Sequence, residues 1–113
     1  MKTIDGIVPV MLTPFTEQND VDYPGLAKLI DWYIDKNVDA LFAVCQSSEM
    51  QFLSLEERVA VARFVLDHVQ GRIPVIHYGL ISYDLNAQVE ELSALADTGI
   101  DALVLVDSHL DLL

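Results

Sequence analysis

Basic residues are scarce. The chain of 113 residues carries 6 Lys and Arg against 18 Asp and Glu, a formal net charge of −12. Nucleic acid and anionic membrane surfaces want clustered Lys and Arg, so the balance argues against both partners. Cys45 is the only cysteine, which rules out an internal disulfide and leaves the redox compartment open. The three histidines, His68, His77 and His109, show neither HxH nor HExxH spacing, and no glycine-rich phosphate loop occurs. No metal or other cofactor is therefore expected. No apolar run approaches the roughly 18 residues of a membrane-spanning helix. Met1-Lys2-Thr3 leads into Ile4-Asp5-Gly6 rather than into the apolar stretch of a signal peptide. The expectation is a soluble, acidic, cytoplasmic protein.

Apolar residues are not scarce. They make up 52% of the chain, so a core can form and disorder is disfavoured. Length allows one small domain at most.

Ile7 to Leu12 reads as a first strand, interrupted by Pro9, and Thr13-Pro14-Phe15 closes it. Asp22 caps a first helix that runs to about Lys36. Its apolar stripe is Leu26, Leu29, Ile30, Tyr33 and Ile34, and Asn37 is suited to a left-handed end. Ala40 to Val44 is the second strand. Leu55 to about Val69 is the second helix, with Val59, Ala62, Leu66 and Val69 inward, Val65 widening the stripe, and Arg58 solvated. Gly71 is its expected stop. Ile73 to Ile76 forms a third strand ending in His77-Tyr78-Gly79. A third helix starts at Ser82 or Asp84 and ends near Asp97, marked by Val89, Leu92 and Ala96. Asp101 to Val106 is a fourth strand. Its entry, Gly99-Ile100-Asp101-Ala102-Leu103, repeats Asn37-Val38-Asp39-Ala40-Leu41. The order β-α-β-α-β-α-β implies right-handed crossovers and a parallel α/β sheet. This pattern suits half of a (β/α)8 barrel or a small doubly wound sheet equally.

The stretch Val38 to Arg58 organises the rest. A buried strand ends at Val44 and breaks into Cys45-Gln46-Ser47-Ser48-Glu49. Ser54 and Glu57 then form a capping box at the next helix. A polar cluster just past the carboxyl end of a buried parallel strand is where such folds place ligand chemistry. Hydroxyls and backbone N–H groups converging there suit a carboxylate.

These segments resemble the dihydrodipicolinate synthase / N-acetylneuraminate lyase family of Schiff-base lyases acting on pyruvate. Thr13-Pro14-Phe15 with Val21-Asp22 matches its first strand end. Cys45-Gln46-Ser47-Ser48-Glu49 matches its Gly-Thr-Thr-Gly-Glu-like turn, and Leu53-Ser54-Leu55-Glu56-Glu57-Arg58 its Leu-Ser-x-Glu-Glu-Arg. The likeness runs over nearly the whole chain. It tips the fold toward a (β/α)8 TIM barrel and implies Gln46, Ser47 and Ser48 as residues binding a small 2-oxo acid such as pyruvate.

Departures from the family pattern are informative. Gln46 replaces a hydroxyl of the synthases' proton relay, and an amide does not shuttle protons as a hydroxyl does, which speaks against dihydrodipicolinate synthesis itself. Cys45 and Ser48 stand in place of glycines. Tyr78 falls where a small residue is usual, which narrows the pocket. His77, Tyr78 and Tyr83 lie at or after the third strand end, where acid–base work is chemically open to them. Asp107-Ser108-His109 cannot form a triad, because adjacent residues cannot face one another in that geometry. The relay tyrosine expected near His109 and Leu110 is missing. The family's Schiff-base lysine and partner tyrosine lie on later strands. None of Lys2, Lys28 and Lys36 is placed for that role.

The resulting expectation is one partial domain over residues 1–113, the N-terminal half of a (β/α)8 barrel. Its full-length relatives are lyases or aldolases of 2-oxo acids, and this chain alone is expected to be inactive. A homo-oligomer is expected, because the open sheet edges need cover. The alternatives are a non-catalytic half-barrel that binds or self-associates, and a truncated piece of a longer enzyme.

Overall fold

The computed structural model describes residues 3–79 and 81–106, and for Gln46 the backbone only. Three helices alternate with a parallel sheet: α1 (Tyr23–Asp35), β1 (Leu41–Phe42), α2 (Leu55–Val69), β2 (Val75–Tyr78), α3 (Leu85–Ala96) and β3 (Ala102–Val104). The sheet order is β1-β2-β3, with Leu41 opposite Val75 and Ile76 opposite Ala102. α2 and α3 therefore serve as the crossovers that parallel pairing requires.

Local chemistry accounts for the helix ends. Asp22 accepts from the Gly25 N–H at 3.0 Å, and Pro24 sits in the first turn. Asn37 takes φ 61° just past α1, the left-handed end anticipated for it. Ser54 and Glu57 close the capping box of α2 in both directions, at 3.1 and 2.9 Å. At the other end Gln70 and Gly71 both adopt positive φ, so the stop begins one residue before the glycine.

Four strands were expected, and three are formed. Residues 7–12 run parallel beside β1 but make a single bridge, Val10 to Phe42. The Asp39 N–H reaches Ile7 O at 2.8 Å, Phe42 N–H reaches Pro9 O at 3.0 Å, and Met11 N–H reaches Phe42 O at 3.0 Å. The missing rung falls at Pro9, which has no N–H to give.

The repeated Asp-Ala-Leu entries form a repeated clasp. Asp39 donates its N–H to Ile7 O, and its carboxylate accepts the Ile7 N–H at 2.7 Å. Asp101 does the same to Val75, at 3.0 Å and 2.8 Å. Each aspartate thus fixes the register of its own strand against the start of the preceding one. A side chain at Gly6, whose φ is 99°, would strike the Asp39 carboxylate. Val75 is fully buried, so Asp101→Ala strands a buried N–H and is expected to cost about 1–3 kcal/mol. Asp101→Asn keeps an acceptor and should cost less. Urea midpoints of the two variants check this ordering.

The core lies between the sheet and the helices. Met11, Leu41, Ala43 and Val75 meet Leu26, Ile30, Val61, Val65 and Val69. The buried faces of α2 and α3 differ from the stripes read from spacing. On α2 Arg58, Val61, Ala62, Val65 and Val69 are buried, because this helix packs against α1, α3 and the sheet together. Arg58 is therefore not solvated. On α3 Gln88, Glu91 and Leu95 are buried, whereas Val89 is 56% exposed. Among the described residues no helix is long and apolar enough to cross a membrane.

Candidate functional site

The loop from β1 to α2 is built from two short 3-10 turns, Gln46–Ser48 and Met50–Phe52. Glu49 joins them in the left-handed conformation, φ 61°. Such a conformation in a non-glycine residue holds only where its surroundings enforce it. The enforcing bonds are visible. The Ser48 and Met50 N–H groups both reach Cys45 O, at 3.1 and 3.3 Å. The buried Ser48 hydroxyl donates to Met11 O, lies 3.3 Å from Ala43 O, and meets the Cys45 thiol at 3.3 Å. Ser48 and Cys45 thus tie the loop to the end of the first extended segment.

Ser47 is placed differently. It is exposed and lines a cavity of about 250 Å3 with Val10, Phe42, Cys45, Tyr78, Val104 and Val106. The cavity sits at the carboxyl ends of the parallel strands, on the sheet face opposite the helices. Its walls are apolar apart from Ser47, Cys45 and the Tyr78 phenol. Burial, then the neighbouring Tyr83, pushes the Tyr78 pKa above its usual value. The phenol stays protonated.

Beneath the next loop lies an ion pair that spacing does not reveal. Arg58 Nη1 of α2 is 2.8 Å from Glu91 Oε2 of α3, and both residues are buried. Glu91 also accepts the Ile81 and Ser82 N–H groups, at 3.1 and 3.0 Å. Gln88 reaches Ser82 O at 2.8 Å. Burial alone would raise the Glu91 pKa. The hydrogen bonds from Ser82, Arg58 and Ile81 outweigh it and hold the carboxyl below its usual range. Arg58 and Glu91 stand 33 positions apart, and each looks solvated on its own helix. The pair anchors the loop that follows Tyr78.

His77 lies on the helix-facing side of β2 and is fully buried. Its Nδ1–H donates to Tyr78 O at 2.7 Å, and Nε2 has no partner among the described residues. Burial, with the Arg58 charge adding to it, lowers its pKa to about 4. The imidazole is neutral and does not line the cavity. Tyr83 is 58% exposed in the loop beyond. Lys28 on α1 and Lys36 at its C-cap are exposed, and Lys36 Nζ lies 5.8 Å from the Trp32 ring centre. Neither lysine lines the cavity. Asp107, Ser108, His109, Leu110 and Lys2 lie outside the described residues. No group of three His, Cys, Asp or Glu among the described residues is arranged to hold a metal ion.

A strand-end cavity with one exposed serine, on a parallel α/β frame, is common to many enzymes, and comparison with known proteins narrows it. The dihydrodipicolinate synthetase family profile matches residues 3–110. The chain belongs to this family. It is 36% identical over 101 residues to the 4-hydroxy-tetrahydrodipicolinate synthase of Saccharophagus degradans, covering 89% of this chain and 34% of that protein. It is also 36% identical over 104 residues to the putative 2-dehydro-3-deoxy-D-gluconate aldolase YagE of Escherichia coli K12, covering 92% of this chain and 34% of that protein. The chain thus spans about a third of the length of these curated relatives. Among solved structures, the Acinetobacter baumannii dihydrodipicolinate synthase complexed with pyruvate superposes with a TM-score of 0.85 at 30% identity. That match covers 91% of this chain and 35% of the other. YagE in complex with pyruvate gives 0.81 at 37% identity, covering 88% and 33%. Family membership accounts for the architecture: the sheet and its helices correspond to part of a TIM barrel. In such barrels the strand carboxyl ends form the active face, and the cavity at Ser47 lies on that face.

Proposed function

We propose that this chain supplies the carboxylate-holding part of a Schiff-base lyase or aldolase site for pyruvate or another small 2-oxo acid. The observation that carries this reading is the place of Ser47. Ser47 lines a strand-end cavity, while its neighbour Ser48 is committed to holding the loop. Ser47 also stands at a hydroxyl position of the family's turn. The two pyruvate complexes among the structural neighbours support the substrate class. In this reading Ser47 binds the carboxylate, and Ser48 acts through the loop by fixing it against Met11. Gln46 stands in the sequence where the family's turn has a relay hydroxyl. In this reading none of Lys2, Lys28 and Lys36 forms the imine.

Self-association belongs to the same reading. Val10, Leu12, Leu105 and Val106 are 38–58% exposed near the strand ends, and so large an apolar display calls for cover. Binding is tested by titrating pyruvate and following the amide signals by NMR. The Ser47 signal is expected to move, and Ser47→Ala to weaken binding by about tenfold, the usual scale of one hydrogen bond to a charged group. Ser47 signals that stay still while others shift would overturn the assignment.

A further inference from the structure

We propose that a second pocket, lined by Phe15, Asn19, Glu49 and Phe52, binds a small organic cation of the alkylammonium class. None of these residues lines the cavity at Ser47, and the proposal stands apart from the 2-oxo acid reading.

The two walls come from distant parts of the chain, and both are pinned. Phe15 pairs antiparallel with Val21. The turn between them is closed by the Thr16 N–H to Asp20 O at 2.7 Å and the Asn19 N–H to Thr16 O at 3.0 Å. Glu49 and Phe52 belong to the loop that Ser48 ties to Met11, and the Phe52 N–H bonds back to Glu49 O at 3.0 Å. Asn19 and Glu49 both hold left-handed backbones, at φ 66° and 61°. Asparagine tolerates that state, and glutamate does so less readily. A cavity of about 310 Å3 lies between the walls, room for a small molecule. Walls that are already in place spare a ligand the cost of ordering them.

The lining selects the charge. Phe52 is 73% exposed, an unusual place for a phenyl ring. Glu49 is exposed and makes no side-chain bond to the turn it precedes. Among the described residues no Lys or Arg pairs with it. Asp20, next to Asn19, lines the neighbouring groove with Glu56 and Glu57. An anion meets repulsion from these carboxylates, whereas a cation is drawn in. Aromatic faces attract cations as well, alkylammonium groups above all. The chain already uses this chemistry once: Trp32, 54% exposed, has Lys36 Nζ 5.8 Å from its ring centre. Phe52 is more exposed and has no such cation among the described residues. Its pocket therefore takes the cation from solution.

The probe is choline, set against 3,3-dimethylbutanol, which has the same shape without the charge. Each is titrated into the full chain and followed by the amide signals of Asn19, Glu49 and Phe52. Cation–π contacts and one exposed charge pair predict a dissociation constant for choline of about 1–20 mM. The uncharged isostere should bind at least about fivefold more weakly. Glu49→Gln removes the charge and Phe52→Leu removes the ring while keeping an apolar side chain. Each is expected to weaken choline binding by about two- to fivefold. Both residues are exposed, so the core is untouched. Still signals at these three residues with about 50 mM choline, shifts centred on Val10 and Val104 instead, or equal binding of the isostere would overturn the proposal. So would full affinity in both variants. None of these outcomes bears on pyruvate at Ser47.

Discussion

Arg58→Ala is expected to lower the stability of the fold by about 3–5 kcal/mol. Removing one member of a buried ion pair leaves the other charge uncompensated in a poorly solvated place, and that cost dominates. Here the stranded partner is Glu91, 3% exposed, which also holds two backbone N–H groups of the loop after Tyr78. Protonating the stranded Glu91 is the cheapest escape, so the variant should lose more stability at pH 8 than at pH 5. Arg58→Met keeps most of the volume and should be no better near neutral pH, which separates charge from packing. Replacing both residues by apolar ones removes the stranded charge and should recover part of the loss. Chemical denaturation of the single and double variants gives the coupling directly. A coupling below about 0.5 kcal/mol would show that the pair does not tie α2 to α3.

Acid should weaken the protein through His77. The imidazole is fully buried, and its pKa in the folded state is about 4 against the ordinary 6.5. A depressed histidine pKa means that the folded state resists protonation. Its contribution is complete above the unfolded value and is lost as pH falls from about 6.5 toward 4. The size is about 3 kcal/mol, at about 1.4 kcal/mol per pKa unit. Glu91 acts with the same sign. Its carboxyl is held below the usual range, so its stabilisation is present above the unfolded value and lost at lower pH. His77→Phe isolates the histidine part. The variant should show a flatter stability profile between pH 6.5 and 4, with its remaining acid sensitivity confined to the carboxylate range. An identical slope in both proteins would rule the histidine out as the cause.

Local features were the legible part of the sequence. The α1 cap at Asp22, the left-handed Asn37 and the Ser54–Glu57 box all follow from residues within four positions of one another, and all are present. The repeated Asp-Ala-Leu entry was visible too, but not its role: the carboxylates of Asp39 and Asp101 bond to strands 32 and 26 residues away. Long-range pairing escaped for the same reason. Arg58 and Glu91 each look like solvent-facing charges until α2 and α3 are packed side by side. Val89 and Gln88 exchanged places because an apolar stripe says which residues are able to be buried, not which polar group a loop needs as an anchor. Pro9 was recognised as an interruption, and its full effect on the first strand appears only when the missing rung toward β1 is counted. At the site, the order of motifs led to the β1–α2 loop. The split between Ser47, lining the cavity, and Ser48, bonded to Met11, rests on a contact 37 residues away in sequence, which no local side-chain pattern announces.

The central claim is that residues 1–113 hold the 2-oxo acid but do not supply the amine that attacks it. Imine formation needs a deprotonated amine, and an ordinary lysine has a pKa of about 10.4. Burial or a cationic neighbour lowers that value. Lys28 on α1 and Lys36 at its C-cap are exposed, with acids close in sequence: Asp31 and Asp35 follow Lys28, and Asp35 precedes Lys36. The decisive measurement is to incubate the protein with pyruvate, reduce with borohydride, and map any adduct by peptide mass. No adduct on any lysine of residues 1–113 is the expected result. A stoichiometric adduct on Lys2, Lys28 or Lys36 would contradict the account.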